Sequence, residues 1–322
     1  MLRTLLDKSF VKRTLINLMY VGMMANGAFS DANNHPKQPK IEQESLKNDP
    51  HENDLNNVEP FPFIWLKPQL ATLGAPTNQD CDTISANAQY TITAYFSPTC
   101  GHCGIFFNTT LSDIQIKYIN TGKIKFGFRP YCHHVIDFVV SQLSASKGPE
   151  HFQTLFSLFM KNQPNWFEYL MIPDKEEKKK KEAIEKMIAA LPSTIDTKKA
   201  LITLNINEQN PSSSVLLFAL KNGFTVEEID TAINSQKAQE LTDRLIVGTL
   251  AAKTDKGESV PGIPSFYIND QYQDDPLTIE DFKSLTETGK IIERKKGPTQ
   301  TVLPSASKIT AAGKAFEKIQ QQ

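Results

Sequence analysis

Two cysteines three positions apart stand in the segment Ser97-Pro98-Thr99-Cys100-Gly101-His102-Cys103. The apolar run Tyr90 to Phe96 precedes them. A stretch with Ile105, Phe106, Leu111, Ile114, Tyr118 and Ile119 on roughly one face follows. The pattern predicts a strand-to-helix turn with the pair on the first helical turn. The unpaired N–H groups and positive dipole end of such a turn favour a thiolate over a thiol. A cysteine made acidic in this way is a nucleophile near neutral pH. A partner at i+3 can close a disulfide with it, and His102 can add positive charge or a hydrogen bond to the thiolate. The chemistry indicated is thiol–disulfide exchange at Cys100 and Cys103. Inert packing is one alternative and half of a zinc site is another. A closed zinc site takes about four ligands. The remaining candidates, Cys81, Cys132, His133 and His134, form no second Cys-x-x-Cys and no spaced histidine pair. Neither a metal nor a cofactor is therefore expected.

A second motif lies about 160 residues further on. Val260-Pro261-Gly262-Ile263-Pro264-Ser265-Phe266-Tyr267-Ile268-Asn269-Asp270 reads as a tight Gly-x-Pro turn entering a short strand. A Cys-x-x-Cys at a strand–helix turn, followed late by Gly-Ile-Pro-Ser-Phe before an apolar strand, resembles the thioredoxin superfamily. The resemblance implies that Pro264 is a cis-proline beside the redox pair. It also implies that Ile263 pairs its backbone with an extended substrate. Proline lowers the cost of a cis bond and has no N–H of its own. Without the Cys-x-x-Cys, Pro264 would read as an ordinary trans turn proline at a strand start.

The stretch between the motifs reads as mostly helical, with segments at Val135–Leu143, Pro149–Met160, Phe167–Met171, Lys175–Leu191, Thr197–Asn205, Ser213–Lys221 and Thr225–Leu250. Thr225-Val226-Glu227-Glu228 is a capping signal. A helical domain inserted into a thioredoxin fold resembles the DsbA-like thiol oxidoreductases, and Lys147-Gly148-Pro149-Glu150-His151-Phe152 is phrased as in that family. The expected fold class is α/β: a thioredoxin fold over 61–294 with a helical insertion at about 133–252. Ile124 to Arg129 alternates as a strand, joined to the Tyr90 strand by a helix over 104–120 in a β-α-β unit. Ser265 to Asn269 is a further strand, and Thr278, with Asp281 three positions on, begins a last helix.

The resemblance makes Cys100 the exposed attacking sulfur and Cys103 the buried resolving one. The Gly-His dipeptide between them is that of protein disulfide isomerases, which implies an oxidising or isomerising enzyme. Ile263 pulls the other way, since thioredoxins place Ile before the cis-proline. The chain departs from the family at Ala94, where a buried acid six residues before the first cysteine is the rule. Loss of that acid implies slower deprotonation of Cys103 and slower resolution of mixed disulfides. A non-catalytic thioredoxin-fold binding or chaperone protein and a metal carrier are the rival classes.

The remainder of the chain bears on compartment. Arg3, Lys8, Lys12 and Arg13 precede an apolar run from Leu15 to Phe29 and the small-x-small pattern Ala28-Phe29-Ser30. Residues 1–30 read as a secretory signal peptide, with an uncleaved anchor as the alternative. A periplasmic location follows, where disulfides persist. Residues 31–60 read as a disordered polar linker, and 295–322 as a tail with a short amphipathic helix. The expected partners are cysteine-containing exported proteins and a membrane re-oxidising (DsbB-like) or reducing protein. Lys178 to Lys181 sit among glutamates, and a net charge of −1 leaves no basic excess, so nucleic acid is not an expected partner. Cys132 should lie near the Cys100 end of the sheet and Cys81 near the other. A seven-residue strand spans about 23 Å, whereas bridged cysteines need Cα atoms within about 7 Å. The loop from Cys81 to Gln89 can narrow that gap, so a Cys81–Cys132 disulfide and a free Cys132 both stand open.

Overall fold

The computed structural model describes residues 55, 57–68, 86–173 and 175–293. The segment read as a signal peptide, most of the linker, Cys81 and the 295–322 tail lie outside the described residues. No described helix is long and apolar enough to cross a membrane.

A five-stranded mixed sheet forms the centre. Its strands are β1 (Ile64–Trp65), β2 (Tyr90–Phe96), β3 (Ile124–Pro130), β4 (Ser265–Ile268) and β5 (Gln271–Gln273), in the order β1-β3-β2-β4-β5. β2 and β3 are parallel, and the remaining neighbours are antiparallel. The β2–β3 connection is helix α1, which runs through Gly101–Ile105 and Leu111–Ile114 with π turns at Phe106–Thr110 and Gln115–Ile119. Parallel pairing of Tyr90 with Ile124 through Phe96 with Pro130 brings Cys100 and Cys132 to the same end of the sheet. β1 and β5, of two and three residues, are too short to show a period of two and are not legible in the sequence. Gly127 faces β1: a Cβ there would stand 2.6 Å from the Trp65 ring, so only glycine lets that ring lie on the strand.

Between β3 and β4 the chain leaves the sheet for eight described α-helices, α2 (Val135–Ala145), α3 (Pro149–Lys161), α4 (Gln163–Phe167), α5 (Glu177–Ala189), α6 (Thr197–Thr203), α7 (Ser213–Lys221), α8 (Val226–Asn234) and α9 (Gln236–Leu250), and a 3-10 turn at Glu168–Met171. The last described helix, α10, spans Ile279–Thr288. This is the α/β architecture with a helical insertion expected from the sequence. The segment read as continuous from Thr225 to Leu250 is two helices. Ser235 is extended, with φ −79° and ψ 164°, and its side chain caps α9 by accepting from the Ala238 N–H at 3.2 Å. Apolar periodicity runs across such a break because it does not register a single extended residue. Thr225 and Glu228 make the expected reciprocal cap at 2.9 and 3.1 Å, and Asp281 accepts from the Thr278 N–H at 2.7 Å. On the lysine-rich α5 face the ion pairs include Lys179–Glu176 and Lys178–Glu182, at 2.5 and 3.8 Å.

Sheet and insertion share one core. Phe96, fully buried at the end of β2, packs on Phe106 and Phe107 of α1, Phe128 of β3 and Phe266 of β4, with ring centroids 5.0 to 6.1 Å apart. Phe156 of α3 closes on Phe107 and Phe128 at 5.9 and 5.2 Å. The insertion is thus anchored on the aromatic layer beneath the Cys-x-x-Cys turn. Replacing Phe96 by Ala should cost about 3–5 kcal/mol of unfolding free energy, as for large-to-small changes in packed cores. Chemical denaturation of the two proteins measures this.

Candidate redox site

β2 ends at Phe96, and the chain turns through Ser97, Pro98 and Thr99 into α1. Cys100 is the N-cap of α1, with φ −86° and ψ 117°. Its sulfur accepts the Cys103 N–H at 3.4 Å, so an orphan donor of the helix start points at the sulfur. In its thiol form Cys100 donates to the Ile263 carbonyl at 3.3 Å. The Ile263–Pro264 peptide is cis. The two distant motifs, separated by the whole insertion, therefore meet at this sulfur, because β4 pairs antiparallel with β2, Tyr95 opposite Ser265.

The two thiols are free and differ in environment. Cys100 is partly exposed and Cys103 is fully buried. The Cys103 side chain, by hydrogen bonding, holds the Cys100 thiol down to about 5 against the opposing effect of burial; His102 and the Cys103 N–H act in the same direction. Burial pushes Cys103 well above the usual thiol range, and the neighbouring Cys100 thiolate adds to this. His102 rises because it hydrogen-bonds the Cys100 sulfur. One thiolate is therefore available and the second thiol is kept protonated.

Position 94 is Ala, fully buried in the apolar core. A carboxylate reaches the site from another element. Asp137, fully buried in the first turn of α2, accepts from Ser97 Oγ at 2.9 Å and from the Thr99 N–H at 2.8 Å. Its other oxygen accepts from the His133 and His134 N–H groups at 3.1 and 2.9 Å. The negative charge contributes to the rise at Cys103. His134 caps α2 through Nδ1, and its acidity is shifted by burial so that the ring favours the neutral form. His133 is half exposed, with Nδ1 3.3 Å from Asp137. Cys132 is a buried free thiol, 3.6 Å from Ser141 Oγ and raised well above the usual range by burial; its proposed partner Cys81 is not among the described residues. Among the described residues no cluster of three or more His, Cys, Asp or Glu could hold a metal ion.

Gln163 of α4 completes the surroundings, its amide N–H₂ donating to the Pro98 and Cys100 carbonyls. Neither Gln163 nor Asp137 is legible as a site residue in the sequence. Asp137 stands three positions after His134 in a capping pattern, which signals a helix start and nothing more.

The family model described as Thioredoxin matches residues 85–288, most of the chain and both motifs. The chain belongs to the thioredoxin family. Its DsbA-like build is the sheet with helices inserted between β3 and β4. The chain is 30% identical over 107 residues to a Rickettsia bellii protein whose name proposes a protein-disulfide oxidoreductase, covering 32% of this chain and 41% of that one. A similarly named Rickettsia prowazekii protein is 27% identical over 145 residues, covering 41% and 53%. The chain thus matches about half the length, or less, of these curated relatives. Among solved structures, a protein-disulfide isomerase from Novosphingobium aromaticivorans superposes with a TM-score of 0.43 at 21% identity, covering 58% of this chain and 84% of that one. Wolbachia pipientis alpha-DsbA1 gives 0.43 at 17% identity, covering 72% and 93%.

Two outcomes follow from this geometry. Because the folded Cys100 thiol is more acidic than an unfolded one, it stabilises the reduced protein fully above about pH 8.5, the ordinary cysteine range. That contribution is lost as pH falls through about 5. The stability difference between reduced wild type and Cys100→Ser should therefore shrink over that window, with ultraviolet thiolate absorbance disappearing at the same midpoint. Asp137→Ala leaves the Ser97, Thr99, His133 and His134 donors without their acceptor and should cost about 3 kcal/mol or more, measured by denaturant unfolding.

Proposed function

We propose that this chain is an exported thiol:disulfide oxidoreductase that exchanges disulfides with protein substrates through Cys100 and Cys103, introducing disulfides during oxidative folding. The observation that carries the reading is the geometry at Cys100: its sulfur sits at a helix N-terminus, 3.4 Å from the Cys103 N–H and 3.3 Å from the Ile263 carbonyl of a cis Ile263–Pro264 loop, with Cys103 fully buried beside it, an arrangement that lowers the Cys100 thiol and raises Cys103. A more acidic thiol is a better leaving group and makes its disulfide more oxidising.

In the proposed reaction a substrate thiolate attacks Cys100 Sγ of the Cys100–Cys103 disulfide. That S–S bond breaks, a mixed disulfide forms, and Cys103 leaves as a thiolate and takes up a proton. A second substrate thiolate attacks the substrate sulfur of the mixed disulfide and expels the Cys100 thiolate. The substrate loses two electrons and the enzyme gains them. His102 stabilises the expelled thiolate by charge and hydrogen bonding. Ile263, whose carbonyl already faces Cys100 Sγ, pairs with the extended substrate, and Pro264 next to it offers no N–H to compete. The missing acid at Ala94 slows the deprotonation of Cys103 and the resolution of mixed disulfides by that thiol. A membrane re-oxidising (DsbB-like) partner returns the enzyme to its disulfide form. The cationic start and apolar run of residues 1–30 support export to the periplasm, where such substrates fold.

Disulfide isomerisation, favoured by the Gly101-His102 dipeptide, or reduction, favoured by Ile263 before the proline, is the second reading. Equilibration in glutathione buffers separates them. A reduction potential near about −120 mV is expected, and a value near about −180 mV would make the protein an isomerase and near about −270 mV a reductant. A pair that never equilibrates, or a Cys100→Ser variant with full function, would replace the enzyme by a binding protein. Metal retained by the reduced thiols would point to a carrier.

A further inference from the structure

Gln163 is the first residue of α4, yet its side chain serves the redox turn. Its Nε2 donates to the Pro98 carbonyl at 2.5 Å and to the Cys100 carbonyl at 3.0 Å. These oxygens lie in the segment that hands β2 over to α1. The Cys100 carbonyl also accepts the Gly104 N–H at 3.1 Å, the first backbone bond of the helix. Gln163 is 2% exposed, and Pro98 is buried with it. α4 is itself fixed: Trp166 is fully buried and its Nε1 donates to the Phe159 carbonyl at 3.0 Å, and a proline sits in its first turn.

α1 is shaped to receive this side chain. Gly104 follows Cys103 directly, and a Cβ there would overlap the Gln163 amide oxygen. Glycine is a weak helix former compared with alanine, so the choice at 104 has its reason in the close approach rather than in the helix. The amide therefore occupies a fitted slot, its N–H₂ on two carbonyls of the turn and its oxygen over Gly104.

We propose that Gln163 is a positioning residue of the redox turn, through which the helical insertion holds Cys100 at the N-terminus of α1 in the geometry that receives a thiolate. The proposal rests on the thiol-redox reading of Cys100. Without the amide, the buried Pro98 carbonyl loses its donor, which a folded chain does not leave unanswered. The segment then shifts to find another. Cys100 is the N-cap in that segment, so its 3.4 Å contact with the Cys103 N–H is the first feature to change. A donor on the Cys100 carbonyl also offsets partial negative charge within the residue that carries the thiolate. The insertion is in this sense one wall of the active site, not only an added domain.

The test uses the reduced full chain and follows the Cys100 thiolate by ultraviolet absorbance, with no substrate present. Gln163→Leu keeps the bulk and removes the donor. It should raise the midpoint by about one unit, a tenfold loss of thiolate stabilisation. The glutathione equilibrium should then move about tenfold toward the disulfide. Gly104→Ala should do the same by displacing Gln163. In Gly104→Ala/Gln163→Ala the shorter residue leaves room for the methyl group, so the double variant should titrate like Gln163→Ala alone. A folded Gln163→Leu within about 0.3 unit of wild type, even with a lowered melting temperature, overturns the positioning role. If Gln163→Leu does not fold, Gly104→Ala decides by the same criterion. A wild-type Cys100 that titrates in the ordinary cysteine range overturns the redox reading and this one with it. An acidic wild type with unmoved variants overturns this one alone.

Discussion

The contact between the Cys103 N–H and Cys100 Sγ, 3.4 Å long at the first turn of α1, is the constraint on which the rest of the site depends. A sulfur placed as the N-cap meets a backbone donor that has no partner within its helix. That placement needs the chain to turn sharply out of β2 and enter a helix within a few residues. The aromatic layer around Phe96 fixes where β2 ends, and the β2–β3 and β2–β4 pairings fix which loops stand beside it. The Ile263–Pro264 loop reaches Cys100 because β4 lies next to β2.

Burial divides the work between the two thiols. Cys100 keeps partial access to solvent and is held in the acidic range, whereas Cys103 is sealed beneath it and driven the other way. Each thiol contributes to the other's shift. Such a pair loses its protons as a unit with one easy and one hard step. In thiol–disulfide exchange this asymmetry selects which sulfur leaves and which one waits for a proton.

The helical insertion gives the redox turn two polar supports from outside the thioredoxin sheet. Asp137, at the start of α2, gathers donors from Ser97 and Thr99 on one side and from His133 and His134 on the other. It thereby ties the approach to Cys100 to the entry of the insertion. A carboxylate so deeply buried is tolerated only when its acceptors are filled, and here four donors fill them. Gln163 ties the same turn to α4. Position 94 is a buried alanine, and the buried charge near Cys103 comes from Asp137 of α2.

How much of this was written in the sequence depends on range. The Cys-x-x-Cys turn, β2 from Tyr90 to Phe96 and the capped helix starts at Thr225 and Thr278 were legible, because periodicity, caps and an i+3 spacing are local properties. The resemblance carried by two short motifs supplied the sheet and the insertion. The break at Ser235 was not legible, since one extended residue leaves no trace in an apolar stripe. Strands as short as β1 and β5 carry no alternation to read. Asp137 and Gln163 carry no site signal in the sequence. Only the tertiary structure turns them toward Cys100, because their partners lie 38 and 63 residues away along the chain and are chosen by how α2 and α4 pack on the sheet. The sequence by itself determined which atoms can do the chemistry. Packing decided how acidic each of them is, because burial and hydrogen-bond partners are properties of the folded chain.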